Sequence, residues 1–123
     1  MVNPSNTLYQ PGTHVVASLS TPETELLQSY NCFRQLAGQL VVQHALTQLG
    51  EVYHNFEPGG FTAVLCLSES HISIHTWPEF GRVNLDIYLS NYQRNNDGTV
   101  HAIYEALISF FKATVLDAQT IVR

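Results

Sequence analysis

Basic side chains are scarce in this chain. Five Lys and Arg stand against ten Asp and Glu, a formal net charge of −5. That balance argues against sequence-independent binding to phosphate backbones. Charged residues make up only 12%, about half the usual share. Long apolar runs are missing too: the longest, Ala63 to Leu67, is far too short to span a bilayer as a helix. The opening MVNPSNTLYQPG has neither a basic flank nor an apolar centre, so no secretory signal is expected. Two cysteines, Cys32 and Cys66, do not make a disulfide framework. Gly-x-Ser-x-Gly, Cys-x-x-Cys and His-Glu-x-x-His patterns are absent, and Pro58-Gly59-Gly60 reads as an ordinary turn rather than a phosphate loop. What is present is apolar: 45% of 123 residues, enough for one domain with a real core. The expectation is a single cytoplasmic domain over residues 1–123, poor in surface charge and oligomeric.

The chain carries no repeat and no linker. Residues 1–11 read as a loose arm and 13–19 as a strand. Ser20-Thr21-Pro22-Glu23 predicts a helix start, with a hydroxyl cap and Pro in the first turn. Leu26, Tyr30, Phe33, Ala37, Leu40, Val41 and Ala45 recur at helical spacing towards Leu49-Gly50, where the helix is expected to stop. Strands are expected at 51–56, 61–68, 71–77 and 82–89. Asp97 in Asn95-Asn96-Asp97-Gly98 is a candidate cap for a second helix along Val100, Ile103, Tyr104, Leu107, Ile108 and Phe111. A last strand is expected at 114–122. The order β-α-β-β-β-β-α-β with short strand links predicts an α+β fold: a two-layer sandwich, an antiparallel sheet with both helices on one face.

Strand alternation divides the sheet into two faces. Val83, Leu85, Ile87, Leu89, Ile72 and Ile74 belong to an apolar face for the helices. Asn84, Asp86, Tyr88, Ser90, His71, Ser73, His75, Trp77, Thr62, Val64, Cys66 and Ser68 belong to the other. That second face is aromatic and hydroxyl-rich, without the Lys and Glu of a bare surface. The same face of a second copy would cover it, giving a four-layer dimer with a polar site near its middle.

Six histidines invite a metal reading. His71 and His75 share a face, but four residues of strand separate them by roughly 13 Å, too far for one zinc ion. No metal site is expected.

Ser68-Glu69-Ser70-His71-Ile72-Ser73-Ile74-His75-Thr76-Trp77-Pro78-Glu79 resembles the small bacterial and archaeal S-adenosylmethionine decarboxylases, which generate their own pyruvoyl cofactor. Gly12-x-His14, His54-x-Phe56-x-Pro58-x-Gly60 and Leu85-Asp86-Ile87-Tyr88 extend the resemblance over most of the chain. It implies an α/β sandwich whose dimer stacks sheet on sheet. It implies autocatalytic cleavage at Glu69–Ser70, dividing the chain into residues 1–69 and 70–123. The Ser70 hydroxyl would attack the Glu69 carbonyl, and elimination and hydrolysis would leave a pyruvoyl group on residue 70. That group would take up the substrate amine as a Schiff base and serve as electron sink for decarboxylation, feeding spermidine synthesis.

By the same resemblance His75 assists the elimination step and Thr62 stands where a serine orients the processing site. Phe56 and Trp77 would sandwich adenine, and Glu79 would accept from the ribose diol. One position departs from the pattern: Ser90 stands where the family carries the cysteine that reprotonates the decarboxylated carbon, and a hydroxyl is a far weaker acid than a thiol. Asn91 replaces the usual glycine, and Arg82 stands at a normally uncharged position. Ser90 relaying a proton, or Cys66 substituting, would preserve the reaction. A pyruvoyl decarboxylase of ornithine or arginine, or a non-catalytic partner of an active paralogue, are the alternatives.

Overall fold

The computed structural model describes residues 8–123, so most of the expected N-terminal arm lies outside it. The elements are β1 (Thr13–Ser20), a 3-10 turn (Thr24–Leu27), α1 (Asn31–Gln43), β2 (Gln48–Asn55), β3 (Phe61–Leu67), β4 (Ser70–Trp77), a second 3-10 turn (Pro78–Phe80), β5 (Arg82–Leu89), α2 (Asp97–Phe111) and β6 (Thr114–Val122). The six strands form one sheet in the order β2-β3-β4-β5-β1-β6, every neighbouring pair antiparallel. The α+β sandwich expected from the strand pattern is therefore the fold.

Register gives the two faces. Leu65, Ile72, Ile87 and Val15 lie in one row across the inner strands, and each is buried. Above this face, α1 contributes Phe33, Ala37, Leu40 and Val41, and α2 contributes Val100, Ile103, Leu107 and Phe111. The Phe33 and Phe61 rings lie 5.8 Å apart, which seats α1 over β3. Each such apolar side chain contributes ~1.5–3 kcal/mol when taken out of water, so this layer holds the sheet flat against both helices.

Three local expectations fail. The first helix starts at Asn31, not near Thr21. The Thr21 hydroxyl does accept the Glu23 amide proton, so the local cap signal is real. The same hydroxyl, however, donates to the Phe111 carbonyl at the end of α2. That tertiary tie turns the segment into a short 3-10 turn. The helix also ends earlier, at Gln43. Ala45 adopts the left-handed region at φ 52° and is exposed, leaving room for β2 to begin at Gln48. Asp97 is the first residue of α2 rather than its cap; Asn96 holds the cap position. The Asp97 carboxylate instead accepts from Thr13 Oγ1 at 2.6 Å and Asn91 Nδ2 at 2.9 Å, which hold its pKa below the ordinary value.

Candidate active site

The serine that sequence singles out lies at a tight turn. Ser68 and Glu69 form a two-residue connection between β3 and β4, closed by the Leu67–Ser70 pair. Ser70 has φ 136°, a region that side chains avoid and that costs ~1–3 kcal/mol to hold. The Glu69 carbonyl accepts the Ser90 amide proton at 2.7 Å. An amide proton fixed on this carbonyl polarises it and can hold negative charge on its oxygen. Gly12 makes that arrangement possible: a Cβ there would sit 2.3 Å from the Leu89 carbonyl oxygen and 3.0 Å from the Ser90 Cα. The motif glycine is a close-approach position.

The turn is held on its other side by residues that no sequence motif indicated. Glu69 meets Arg94 bidentately, Nε to Oε2 at 3.1 Å and Nη2 to Oε1 at 3.0 Å. Asn96 Nδ2 donates both to Glu69 Oε2 and, at 2.8 Å, to the Ser90 carbonyl. Burial pushes the Glu69 carboxyl upward, but the hydrogen bonds from Arg94 and then Asn96 outweigh it and hold the group below its ordinary pKa. A cleft of about 500 Å³ opens beside the turn, lined by Thr47, Ser68, Glu69, Ser90, Tyr92 and Arg94 among others. Asn91 is built into the same loop, accepting from the Asn96 amide and donating to the Pro11 carbonyl.

The other candidate residues gather at the far end of β4. Phe56, Thr62, His75, Trp77 and Glu79 line a second cleft of about 590 Å³, within the size range of small-molecule sites. Phe56 is 49% and Trp77 39% exposed, so neither aromatic is spent on the core. Thr62 Oγ1 and His75 Nδ1 are 2.5 Å apart, the direction of donation depending on the tautomer. Thr76 points the other way. Its buried hydroxyl donates to the Leu27 carbonyl at 2.8 Å and accepts the Phe61 amide proton at 2.9 Å, pinning the strand that carries His75 and Trp77. Gly60, at φ 98°, closes the turn that carries Phe56, whose amide donates to the Gly60 carbonyl. Arg82 is paired in register with Trp77 and is exposed.

These two groups do not meet within one chain. Five strand residues separate Ser70 from His75 and seven separate it from Trp77, roughly 16 and 23 Å. Thr62 and His75 therefore do not reach the Glu69–Ser70 bond of their own chain. Ser70, Glu69 and Ser90 form one cluster; Thr62, His75, Phe56, Trp77 and Glu79 form another. Cys66 is exposed and lies opposite His71, next to the turn.

The histidine arithmetic also missed a cluster. His71 has no part with His75; it faces His14 and Asp86, whose ligand atoms all lie within 4.8 Å of one another. His71 and His75 share one strand, whereas this group spans three, β1, β4 and β5. Both nitrogens of His14 are engaged, Nε2 with Asp86 and Nδ1 with Arg123 Nη1 at 3.4 Å. His71 Nε2 stands 3.7 Å from the same Asp86 oxygen that His14 engages, so the group is gathered on the open face around one carboxylate.

Among the described residues no helix is long and apolar enough to cross a membrane. Comparison with known proteins places this geometry. Residues 13–123 match the family profile described as S-adenosylmethionine decarboxylase. The S-adenosylmethionine decarboxylase proenzyme of Archaeoglobus fulgidus is 43% identical over 77 residues, 63% of this chain and 69% of that one. The proenzyme of Picrophilus torridus is 31% identical over 112 residues, 91% of this chain and 83% of that one. The crystal structure of the adenosylmethionine decarboxylase from Aquifex aeolicus superposes with a TM-score of 0.77 at 27% identity, covering 94% of this chain and 91% of that one. The profile match over residues 13–123 and the relatives aligned over most of both chains establish that this protein belongs to the S-adenosylmethionine decarboxylase family.

Proposed function

We propose that this chain is a pyruvoyl-dependent S-adenosylmethionine decarboxylase, made as a proenzyme that cleaves itself between Glu69 and Ser70. The observation that carries the reading is the junction itself: a serine in a strained conformation directly after a carbonyl held by the Ser90 amide. Strain in the ground state and a donor on the carbonyl both favour attack by the adjacent hydroxyl. Residues 1–69 and 70–123 are then the two chains of the mature protein.

The residues at the turn fit a pyruvoyl group on residue 70: its chain neighbour Glu69 lines a cleft with Ser68 and Ser90. When formed, the group supplies a carbonyl that accepts the substrate amine and draws off the electron pair released with carbon dioxide. The chain's own residues do the rest. Phe56 and Trp77 present aromatic faces that suit a purine and tolerate a sulfonium. Glu79 offers only acceptors when ionised, which suits a ribose diol. Ser90, on the wall of that cleft, would relay the returning proton.

Because the turn and the aromatic cleft lie at opposite ends of β4, a complete site requires two copies. The open face supports such a pairing. It carries Val16, Val64 and Trp77, each 39–41% exposed, amid His14, His71 and Asp86. Two sheets stacked face to face in opposite directions would lay the Thr62–His75 pair and aromatic cleft of one copy on the turn of the other.

The test combines two measurements. Intact mass of the denatured protein should give two fragments, one ending at Glu69 and one beginning with a blocked residue 70. Carbon dioxide release should then be found with S-adenosylmethionine and not with ornithine or arginine. A single uncut chain that binds the nucleoside without turnover would overturn the enzymatic reading in favour of a partner subunit.

A further inference from the structure

Of the five Lys and Arg residues in the chain, Arg94 is the most fully engaged. Its guanidinium holds Glu69 at both oxygens and also donates to the His44 and Ala45 carbonyls at 3.2 and 3.0 Å. It therefore ties the end of α1 to the turn and to the loop after β5. Asn96 completes the grip. It is 1% exposed, and its amide nitrogen faces two acceptors, the Glu69 carboxylate and the Ser90 carbonyl. The residue that Asn96 bridges through its carbonyl, Ser90, is the one whose amide rests on the Glu69 carbonyl. One side chain and one main chain of Glu69 are thus fixed to the same two-residue frame.

This geometry bears directly on the first step of self-cleavage. In that step the Ser70 Oγ–Glu69 carbon bond forms and the Glu69 carbon–Ser70 nitrogen bond breaks. The hydroxyl proton goes to the departing nitrogen, which becomes an amine, and the Glu69 carbonyl oxygen is transiently an oxyanion. A free Glu69 carboxylate so close by would oppose that charge. Resting on the self-cleavage reading above, we propose that Arg94 and Asn96 are positioning residues for the acyl shift: they neutralise the Glu69 carboxylate and hold the scissile carbonyl against the Ser90 amide, which acts as its oxyanion donor.

Asn rather than Asp at position 96 is part of the same logic. An Asp is nearly isosteric but would set a carboxylate against Glu69 and the Ser90 carbonyl. Arg94 differs from a lysine in reaching both carboxylate oxygens at once.

The experiment follows the first-order appearance of the two fragments after refolding of the full chain. It compares wild type, Arg94→Met, Arg94→Lys and Asn96→Asp, with melting temperature measured on each. Arg94→Met and Asn96→Asp should slow cleavage about tenfold or more, the scale of one lost charge-assisted interaction, and Arg94→Lys should recover part of the rate. Hydroxylamine cuts an ester but not the peptide bond, and it leaves an unmodified serine on residue 70. It should release no extra fragment from the slow variants, because the ester has not formed. Wild-type cleavage rates in Arg94→Met and Asn96→Asp, with only a lower melting temperature, would overturn the proposal. So would slow variants that hydroxylamine does cut, since the block would then follow the acyl shift. Should Arg94→Met fail to fold, Asn96→Asp and Arg94→Lys decide on the same criteria. A wild-type chain that stays uncut would overturn the self-cleavage reading itself, an outcome distinct from the other two.

Discussion

The two ends of β4 are built on different terms. At Ser70 the chain supplies its own partners: a strained residue, a carboxylate, a guanidinium, a buried amide nitrogen and two main-chain groups are joined in one hydrogen-bonded frame. At Trp77 the chain leaves itself unfinished: two aromatic rings and a carboxylate border an open cleft with little across from them. On the proposed reading, the first end is organised to break one of its own bonds and the second to receive a substrate. In the same reading, folding of one chain sets up the turn, while both its maturation and substrate recognition wait for the open face to be covered by a second copy.

The sharpest break in this comparison is Ser70→Ala. Cleavage should vanish, because nothing else at the turn is placed to attack the Glu69 carbonyl, while the cleft at the other end should still bind S-adenosylmethionine. Intact mass and equilibrium dialysis on the same sample check both halves. Next in size is Trp77→Ala, which should leave cleavage intact and raise KM about tenfold, the scale of one lost aromatic–base stack; steady-state kinetics with unchanged fragment masses would bear this out. Ser90→Cys should raise kcat several-fold if proton return limits turnover, since a thiol of pKa about 8.5 is a far better donor than a hydroxyl; an unchanged kcat would remove Ser90 from that role.

Gly12→Ala tests the turn's support rather than its chemistry. Its new Cβ would fall 2.3 Å from the Leu89 carbonyl oxygen, so the variant should lose ~1–3 kcal/mol by overpacking, read as a lower midpoint in denaturant. The smallest effect concerns pH. Glu69 is held below its ordinary pKa by Arg94 and Asn96 against the opposing pull of burial. Its contribution to stability is therefore present above the unfolded pKa near 4.5 and is lost as pH falls through the lower folded value. Acid titration of wild type should show a stability loss below that range that is diminished in Arg94→Met.

Much of this was legible before any coordinates. Alternation in β4 and β5 separated Ile72, Ile74, Leu85 and Ile87 from His71, His75, Asp86 and Tyr88, because side-chain direction in a strand is a local property. All six strands fell where the pattern put them, to within a few residues at their ends. The start of α1 did not, because Thr21 answers to the end of α2, 90 residues away. Arg94 and Asn96 were invisible for the same reason: their meaning comes from Glu69, 25 and 27 residues earlier, and an isolated Arg in a polar loop carries no periodicity. The His14–His71–Asp86 group was missed because it is assembled across strands. The motif named the candidate residues but not that they divide into two clusters, which follows from the length of β4 alone.

That division is the central claim, and mixing two damaged chains tests it most directly. Ser70→Ala keeps the Thr62–His75 pair but has nothing to cleave with; His75→Ala keeps the serine but lacks the histidine. Each alone should remain without mature fragments. Refolded together, with the His75→Ala chain isotopically labelled, they should yield labelled fragments 1–69 and 70–123 carrying the pyruvoyl mass. A mixture that stays uncut while wild type matures, or a His75→Ala chain that matures alone, would contradict the account.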